Sequence, residues 1–235
     1  MKIRTIVPGQ SPTFDRKRRA TGLDWPAQAH TMVGTARLRN LASLVDRTLS
    51  ENIPGDYIET GVWRGGSSIL MRAILAAREE TGRRVYLADS FEGLPPPKPD
   101  LYPQDKGDTL HAYPQLAISL EQVKDNFARY GLLDDQVMFV KGFFDQTLPK
   151  LEAGPFALLR LDGDMYESTI VALESLYPRL SPGGFIIIDD YGLKTCKLAV
   201  DDYRRAHGIM EPLESVDWTG VWWRKPLEPQ KGTHA

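Results

Sequence analysis

Four aspartates in the second half of the chain have the type and spacing to do chemistry. Asp162 and Asp164 stand in an Asp-Gly-Asp directly after the hydrophobic run Phe156 to Leu161, and Asp189 and Asp190 follow the run Phe185 to Ile188. Carboxylates gathered in one place raise one another's pKa unless a proton is shared or a cation is bound. With oxygen donors and neither His nor Cys among them, the set suits magnesium, calcium or manganese better than zinc or copper. Either motif alone reads as a cap at a strand end. Two of them at adjacent strand ends favour a metal centre.

The elements that must position these residues follow from the runs themselves. Both runs are short, aliphatic and interrupted only by Arg160, the pattern of strands buried on both faces of a parallel sheet. Between them Glu167-Ser168-Thr169 supplies capping chemistry. Ile170, Leu173, Leu176, Tyr177 and Leu180 fall at helical spacing, and Ser-Pro-Gly-Gly at 181–184 stops the helix. That is a βαβ unit. Its parallel strands carry their carboxyl ends to one sheet edge, so all four aspartates are expected to converge there.

Upstream, Leu38, Leu41, Leu44, Val45 and Leu49 make one apolar stripe on a helix that starts near Met32. Asp56 to Ser68 reads as a short strand, a loop with three glycines and a helix opening with Ser67 and Ser68, a turn in which glycine lets the backbone approach a ligand. Its glycines read G-x-x-x-G-G, so the pyrophosphate fingerprint of NAD enzymes is not met. Glu59 at the strand end suits a cationic ligand group. A second strand, Arg84 to Ala88, leads to Asp89-Ser90, where Asp89 is placed to accept hydrogen bonds from ribose hydroxyls.

From Phe91 to about residue 118 the chain holds six of its seventeen prolines and carries His111, as in a cover or substrate loop. A helix over Leu116 to Tyr130 and a third strand over Val137 to Val140 follow, ending in Lys141-Gly142-Phe143-Phe144-Asp145. The aromatic pair is placed either to flank a planar base or to pack into the core. Leu198 to His207 has helical character, and Glu211 to Val216 with Gly220 to Arg224 forms a closing antiparallel hairpin.

Composition excludes several classes. With 235 residues, 42% of them hydrophobic, and a formal charge of -2, the chain suits one full α/β domain and offers no nucleic-acid surface. Residues 1–30 read as an N-terminal arm, with Arg16 to Arg19 a solvated basic cluster, and 31–235 as a single domain. Cys196 stands alone, which excludes a disulfide framework and fits a cytoplasmic setting. No apolar run reaches about 18 residues, so neither a membrane span nor a signal peptide is expected.

Five ordered motifs narrow the reading. I-E-T-G-V-W-R-G-G-S-S at 58–68, D-S-F-E-G-L-P at 89–95, K-G-F-F-D-Q-T-L-P at 141–149, L-D-G-D-M-Y-E-S-T at 161–169 and I-I-D-D-Y at 187–191 closely resemble the macrocin O-methyltransferase family. These are class I sugar O-methyltransferases that use S-adenosylmethionine. The resemblance implies a Rossmann-like α/β fold, a mostly parallel seven-stranded sheet with helices on both faces and a C-terminal antiparallel hairpin.

The resemblance also implies roles. S-adenosylmethionine and Mg2+ are the expected cofactors, with Asp162, Asp189 and Asp190 as metal ligands and Asp164 as general base. Glu59 and Gly61 line the methionine part of the cofactor, Asp89 with Ser90 takes the ribose, and Phe143, Phe144 and Gly142 border the adenine. Met32, Ser67, Ser68 and Asp162 also lie near the cofactor, and His111 contacts the acceptor. That acceptor is expected to be a hydroxyl of a deoxysugar on a glycosylated natural product, in antibiotic biosynthesis, and the protein is expected to self-associate.

Three carboxylates leave about three positions on an octahedral ion, which suits a pair of neighbouring hydroxyls. A vicinal sugar diol fits, and so does a catechol. The two acidic motifs also resemble the magnesium site of haloacid-dehalogenase-like phosphohydrolases. Against that stand their late position, the complete glycine-turn unit before them and the lack of a partner lysine motif between them. A non-catalytic cofactor-binding protein has no use for four converging carboxylates.

Overall fold

Aliphatic runs this short and this apolar are stable side by side in a sheet covered on both faces. In the computed structural model, which describes residues 14–227, they form β1 (Asp56–Thr60), β2 (Val85–Asp89), β3 (Val137–Lys141), β4 (Phe156–Leu161) and β5 (Leu180–Ile188). These five pair in parallel. The closing hairpin adds the two-residue β6 (Glu214–Ser215) and β7 (Val221–Arg224), with β7 antiparallel to β5. The sheet order is β3-β2-β1-β4-β5-β7-β6.

Successive side chains of a strand point to opposite faces, and the two cores divide accordingly. On one face α2 (Thr35–Ser50), α3 (Gly66–Ala77) and α4 (Leu120–Arg129) bring Leu41, Leu75 and Phe127 onto Tyr57, Leu87, Leu158 and Ile187. On the other, α6 (Tyr166–Leu176) and α7 (Lys194–Ala206) bring Leu173, Leu176 and Val200 onto Ile58, Leu159, Ile186 and Ile188. The expected architecture is therefore present. No helix among the described residues is long and apolar enough to cross a membrane.

Local boundaries differ from the sequence reading where turn chemistry decides them. α6 ends at Leu176 and a 3-10 turn spans Tyr177–Arg179, because Pro178 lacks the N–H that another helical turn needs. Leu180, expected on the helix stripe, opens β5, and Ser181 to Gly184 lie within that strand instead of ending the helix. α4 starts at Leu120, not Leu116, where Ser119 caps the Gln122 N–H at 3.2 Å. Nor do Glu167, Ser168 and Thr169 cap α6. Its cap comes from Asp105, whose carboxylate accepts the N–H groups of Tyr166 and Glu167 at 2.7 and 2.9 Å.

In the described part of the N-terminal arm Arg16, Lys17 and Arg18 are exposed, as expected of a solvated basic cluster, while Arg19 packs against the body. Asp15 caps the short helix α1 (Arg16–Thr21), and Arg19 reaches Asp24 at 2.9 Å and the carbonyls of Met32 and Val33 at 2.8 and 2.7 Å. Arg64 then gathers the carbonyls of Pro26, Ala27 and Ala29 at 3.0, 3.0 and 3.1 Å. Residues 1–13 of the arm and 228–235 at the other end lie outside the described residues.

Candidate active site

The carboxyl ends of β1, β2 and β4 meet at one point because Gly61 allows it. Gly61 has φ 79°, and a Cβ there would lie 1.7 Å from the carbonyl oxygen of Asp162. Asp89, at the end of β2, faces the same turn: its carboxylate accepts the N–H groups of Val62 and Phe91 at 2.6 and 2.7 Å. Burial raises the Asp89 pKa against those hydrogen bonds.

A cleft opens beside this junction, with about 770 Å³ of atom-free space including its mouth. Met32, Gly61, Asp89, Ser90, Asp162 and Asp164 share its wall. Phe143 and Phe144, at the start of the short helix α5 (Phe144–Thr147), also line it. Gly93, Leu94, Pro95 and Leu116 of the Pro-rich loop close the other side. That loop folds into three 3-10 turns and is pinned by the Asp105 cap, by Lys98 on Glu167 at 2.7 Å, and by the Trp63 indole N–H on the Gln115 carbonyl at 2.9 Å.

At the cleft's inner end Asp162, Asp164 and Asp190 each offer one carboxylate oxygen, all within 4.8 Å of one another. Burial, and then the charges of Asp162, Asp108 and Asp189, push Asp164 up to about 8. Asp190 is raised well above the usual carboxylate range, by burial and then by Asp162 and Asp164. Three close carboxylates that offer only oxygen donors fit a hard divalent cation.

Of the residues expected to hold the metal, Asp189 lies outside this cluster. Asp189 points away, to the α2 face, because alternation continues one residue past β5 and puts it on the same side as Ile187. There it meets two cations, Arg37 of α2 and Arg160 of β4, the latter at 2.6 Å. Arg160 is 2% exposed and also reaches Glu59 at 2.6 Å and Asp162 at 2.9 Å. The third carboxylate near Asp162 and Asp190 is that of Asp164.

The same network explains where Glu59 lies. Its carboxylate is bonded to Arg160 and to the Ser68 hydroxyl, and it is 1% exposed, so it braces the floor beneath the cleft instead of lining it. Burial pushes it up to about 7, against the opposing pull of Arg160 and Ser68. Ser67 is buried in the first turn of α3, also off the cleft wall. Gly142 donates its N–H to the Asp89 carbonyl at 2.9 Å, holding the turn before Phe143 in place without facing the cleft. His111 lies exposed in the loop and off the cleft wall.

Sequence reasoning missed Arg160, Arg37, Asp105 and Lys98. Arg160 carried a usable signal, since a cation inside a run buried on both faces must find a carboxylate. Register supplies that carboxylate, with Glu59 directly opposite on β1. Asp105 carried none, being one acidic residue in a polar loop.

The family model for macrocin O-methyltransferase matches residues 2–225. This chain belongs to the macrocin O-methyltransferase family. Among curated relatives of the family, the 8-demethyl-8-(2,3-dimethoxy-alpha-L-rhamnosyl)-tetracenomycin-C 4'-O-methyltransferase of Streptomyces olivaceus is 55% identical over 223 residues, 94% of this chain and 85% of its own. The mycinamicin III 3''-O-methyltransferase of Micromonospora griseorubida is 47% identical, over 90% of this chain and 85% of its own. The solved structure of the O-methyltransferase NovP superposes with a TM-score of 0.90 at 46% identity, covering 93% of this chain and 91% of that one. A calicheamicin methyltransferase at 22% identity and TM-score 0.64 shares the fold.

Proposed function

We propose that the chain transfers a methyl group from S-adenosylmethionine to a hydroxyl of a deoxysugar on a glycosylated natural product, with a magnesium ion bound at the acidic cluster. What carries the reading is the juxtaposition of Asp162, Asp164 and Asp190 with the cleft that Gly61 and Asp89 share, in a family whose similar members are named for methylating glycosylated antibiotics. Those names favour a sugar hydroxyl over the catechol alternative.

Asp89 takes the ribose hydroxyls, its two oxygens already aimed by the amides of Val62 and Phe91. Phe143 and Phe144 flank the adenine, and the backbone at Gly61 passes the methionine part. Asp162 and Asp190 would hold the ion, which would supply Lewis-acid activation of the acceptor hydroxyl. Asp164, beside Asp162 and Asp190, removes the proton from the acceptor hydroxyl. The sulfonium already carries an activated methyl group, so alignment and exclusion of water are the main tasks left to the protein. Leu94, Pro95 and Leu116 cover the cleft for the latter.

Incubation with labelled S-adenosylmethionine, magnesium and a panel of rhamnosylated aglycones tests the proposal, with mass spectrometry counting added methyl groups. One methyl per sugar is the expected product. Hydrolysis of a generic phosphate ester without any methyl transfer would overturn it in favour of the phosphohydrolase reading.

A further inference from the structure

Asp105 stands where two parts of the molecule meet. It belongs to the loop whose Gly93, Leu94, Pro95 and Leu116 wall the cleft, yet it is itself 1% exposed. Its two oxygens accept the N–H groups of Tyr166 and Glu167, at 2.7 and 2.9 Å. These are the first orphan amides of α6, and Met165 at the N-cap position provides no side-chain bond of its own. A helix that would ordinarily be capped by the residue preceding it is capped from the loop.

The residue before that cap position is Asp164. It has φ 56°, and the Met165 N–H folds back onto the Gly163 carbonyl at 2.5 Å, a γ-turn of the strained hand. A residue with a side chain keeps such a conformation where its surroundings over-determine it. The Asp164 N–H donates to Asp190 at 3.2 Å, its carbonyl accepts from the Thr195 hydroxyl at 3.0 Å, and Thr169 bonds back to Met165 at 3.1 Å. Those restraints come from the end of β5, from α7 and from α6 itself. The Asp105 pair is the buried restraint that comes from the loop. Lys98 also joins the loop to Glu167, but its side chain is 42% exposed, so water competes for that bond.

We infer that Asp105 is a positioning residue that ties the cleft-covering loop to the turn carrying Asp164, so that the seating of the loop sets the aim of that carboxylate. This rests on the proposed role of Asp164 as proton acceptor. A helix cap with no such link affects stability alone; the tie adds loop exposure and kcat to the consequences of removing it.

The test compares Asp105→Ala, Asp105→Asn and Leu176→Val, the last a buried change at the opposite end of α6. Asp105→Ala is expected to lower kcat about 10- to 100-fold while the KM for S-adenosylmethionine stays within about threefold, since misplacement of a reacting group costs rate before affinity. Trypsin should cut after the exposed Lys106 about tenfold faster, because the open form becomes more populated. Asp105→Asn keeps one acceptor oxygen and should recover part of both effects. Leu176→Val, compared at equal loss of melting temperature, should change neither.

A kcat for Asp105→Ala within about twofold of the parent, or a loss no larger than that of Leu176→Val, would overturn the inference. Should Asp105→Ala fail to fold, Asp105→Asn carries the same comparison. Asp164→Asn runs beside them: full activity there would overturn the reading of Asp164, while the protease result still judges the tie.

Discussion

Arg160 holds Asp189 at 2.6 Å outside the carboxylate cluster, while the same guanidinium reaches Glu59 and Asp162. One buried cation thus serves three carboxylates, with Arg37 completing the charge around Asp189. Removing it strands Glu59 in the interior and leaves Asp189 with Arg37 alone. Arg160→Met is expected to cost about 3–5 kcal/mol of stability, the range for breaking a buried pair from one side. Urea denaturation followed by circular dichroism measures this, and addition of Glu59→Gln should recover part of the loss. A single variant as stable as the parent would show that the network does not hold the fold.

Asp164 and Asp190 are neighbours with different proposed tasks, and substitution should separate them. Asp164→Asn is expected to lower the rate constant roughly 10²- to 10⁴-fold, the range for a general base, with manganese affinity nearly unchanged. Asp190→Asn should weaken the ion instead, and excess metal should restore part of its activity. Calorimetric titration of manganese into both variants decides the matter. Rescue of Asp164→Asn by excess metal would exchange the two roles.

The metal-free protein should lose stability as pH rises. Asp164 has an ordinary value of 3.8 and sits near 8 in the folded chain, so between those pH values the folded state holds a proton that the unfolded state has released. Stability then falls with rising pH across that window and the contribution is lost above it. Asp190 is shifted in the same direction, and Glu59, from 4.5 to about 7, adds to the effect. Melting temperatures in chelator should therefore decline from acidic to mildly basic pH, and Asp164→Asn should flatten the decline. A rising curve would contradict the assignment.

Gly61→Ala probes the junction of β1 and β4. The new methyl would stand 1.7 Å from the Asp162 carbonyl oxygen at a positive φ, so the two strand ends must part. Loss of S-adenosylmethionine binding by calorimetry is expected, together with a lower melting temperature. Unchanged affinity would mean that the cofactor does not depend on this junction.

The parallel sheet was legible because its strands are aliphatic runs with punctuated ends, and β4 and β5 in particular could hardly be anything else. The approach of Asp162 to Asp164 and Asp190 followed from topology alone. Asp189 lies on the Ile187 side because strand alternation continues one residue beyond Ile188. Arg160 was visible as an interruption, but its partners depend on the register of β1 against β4, which no local pattern encodes. Asp105 and Tyr166 are 61 residues apart, and nothing in a Pro-rich loop distinguishes the acidic residue that will reach a helix end. The limits of β5 and α4 were decided by Pro178 and Ser119, residues whose effect is local but whose choice between competing elements is tertiary.

Arg64 holds the chain at Pro26, Ala27 and Ala29 through their carbonyl oxygens, and the Gly66 N–H reaches the His30 carbonyl at 2.8 Å. Every amino acid presents the same main-chain oxygen, so this grip is blind to which side chains occupy the segment. The strip can drift in sequence while its path stays put. Met32, two residues further on, then reaches the cleft along a route that main-chain bonds fix.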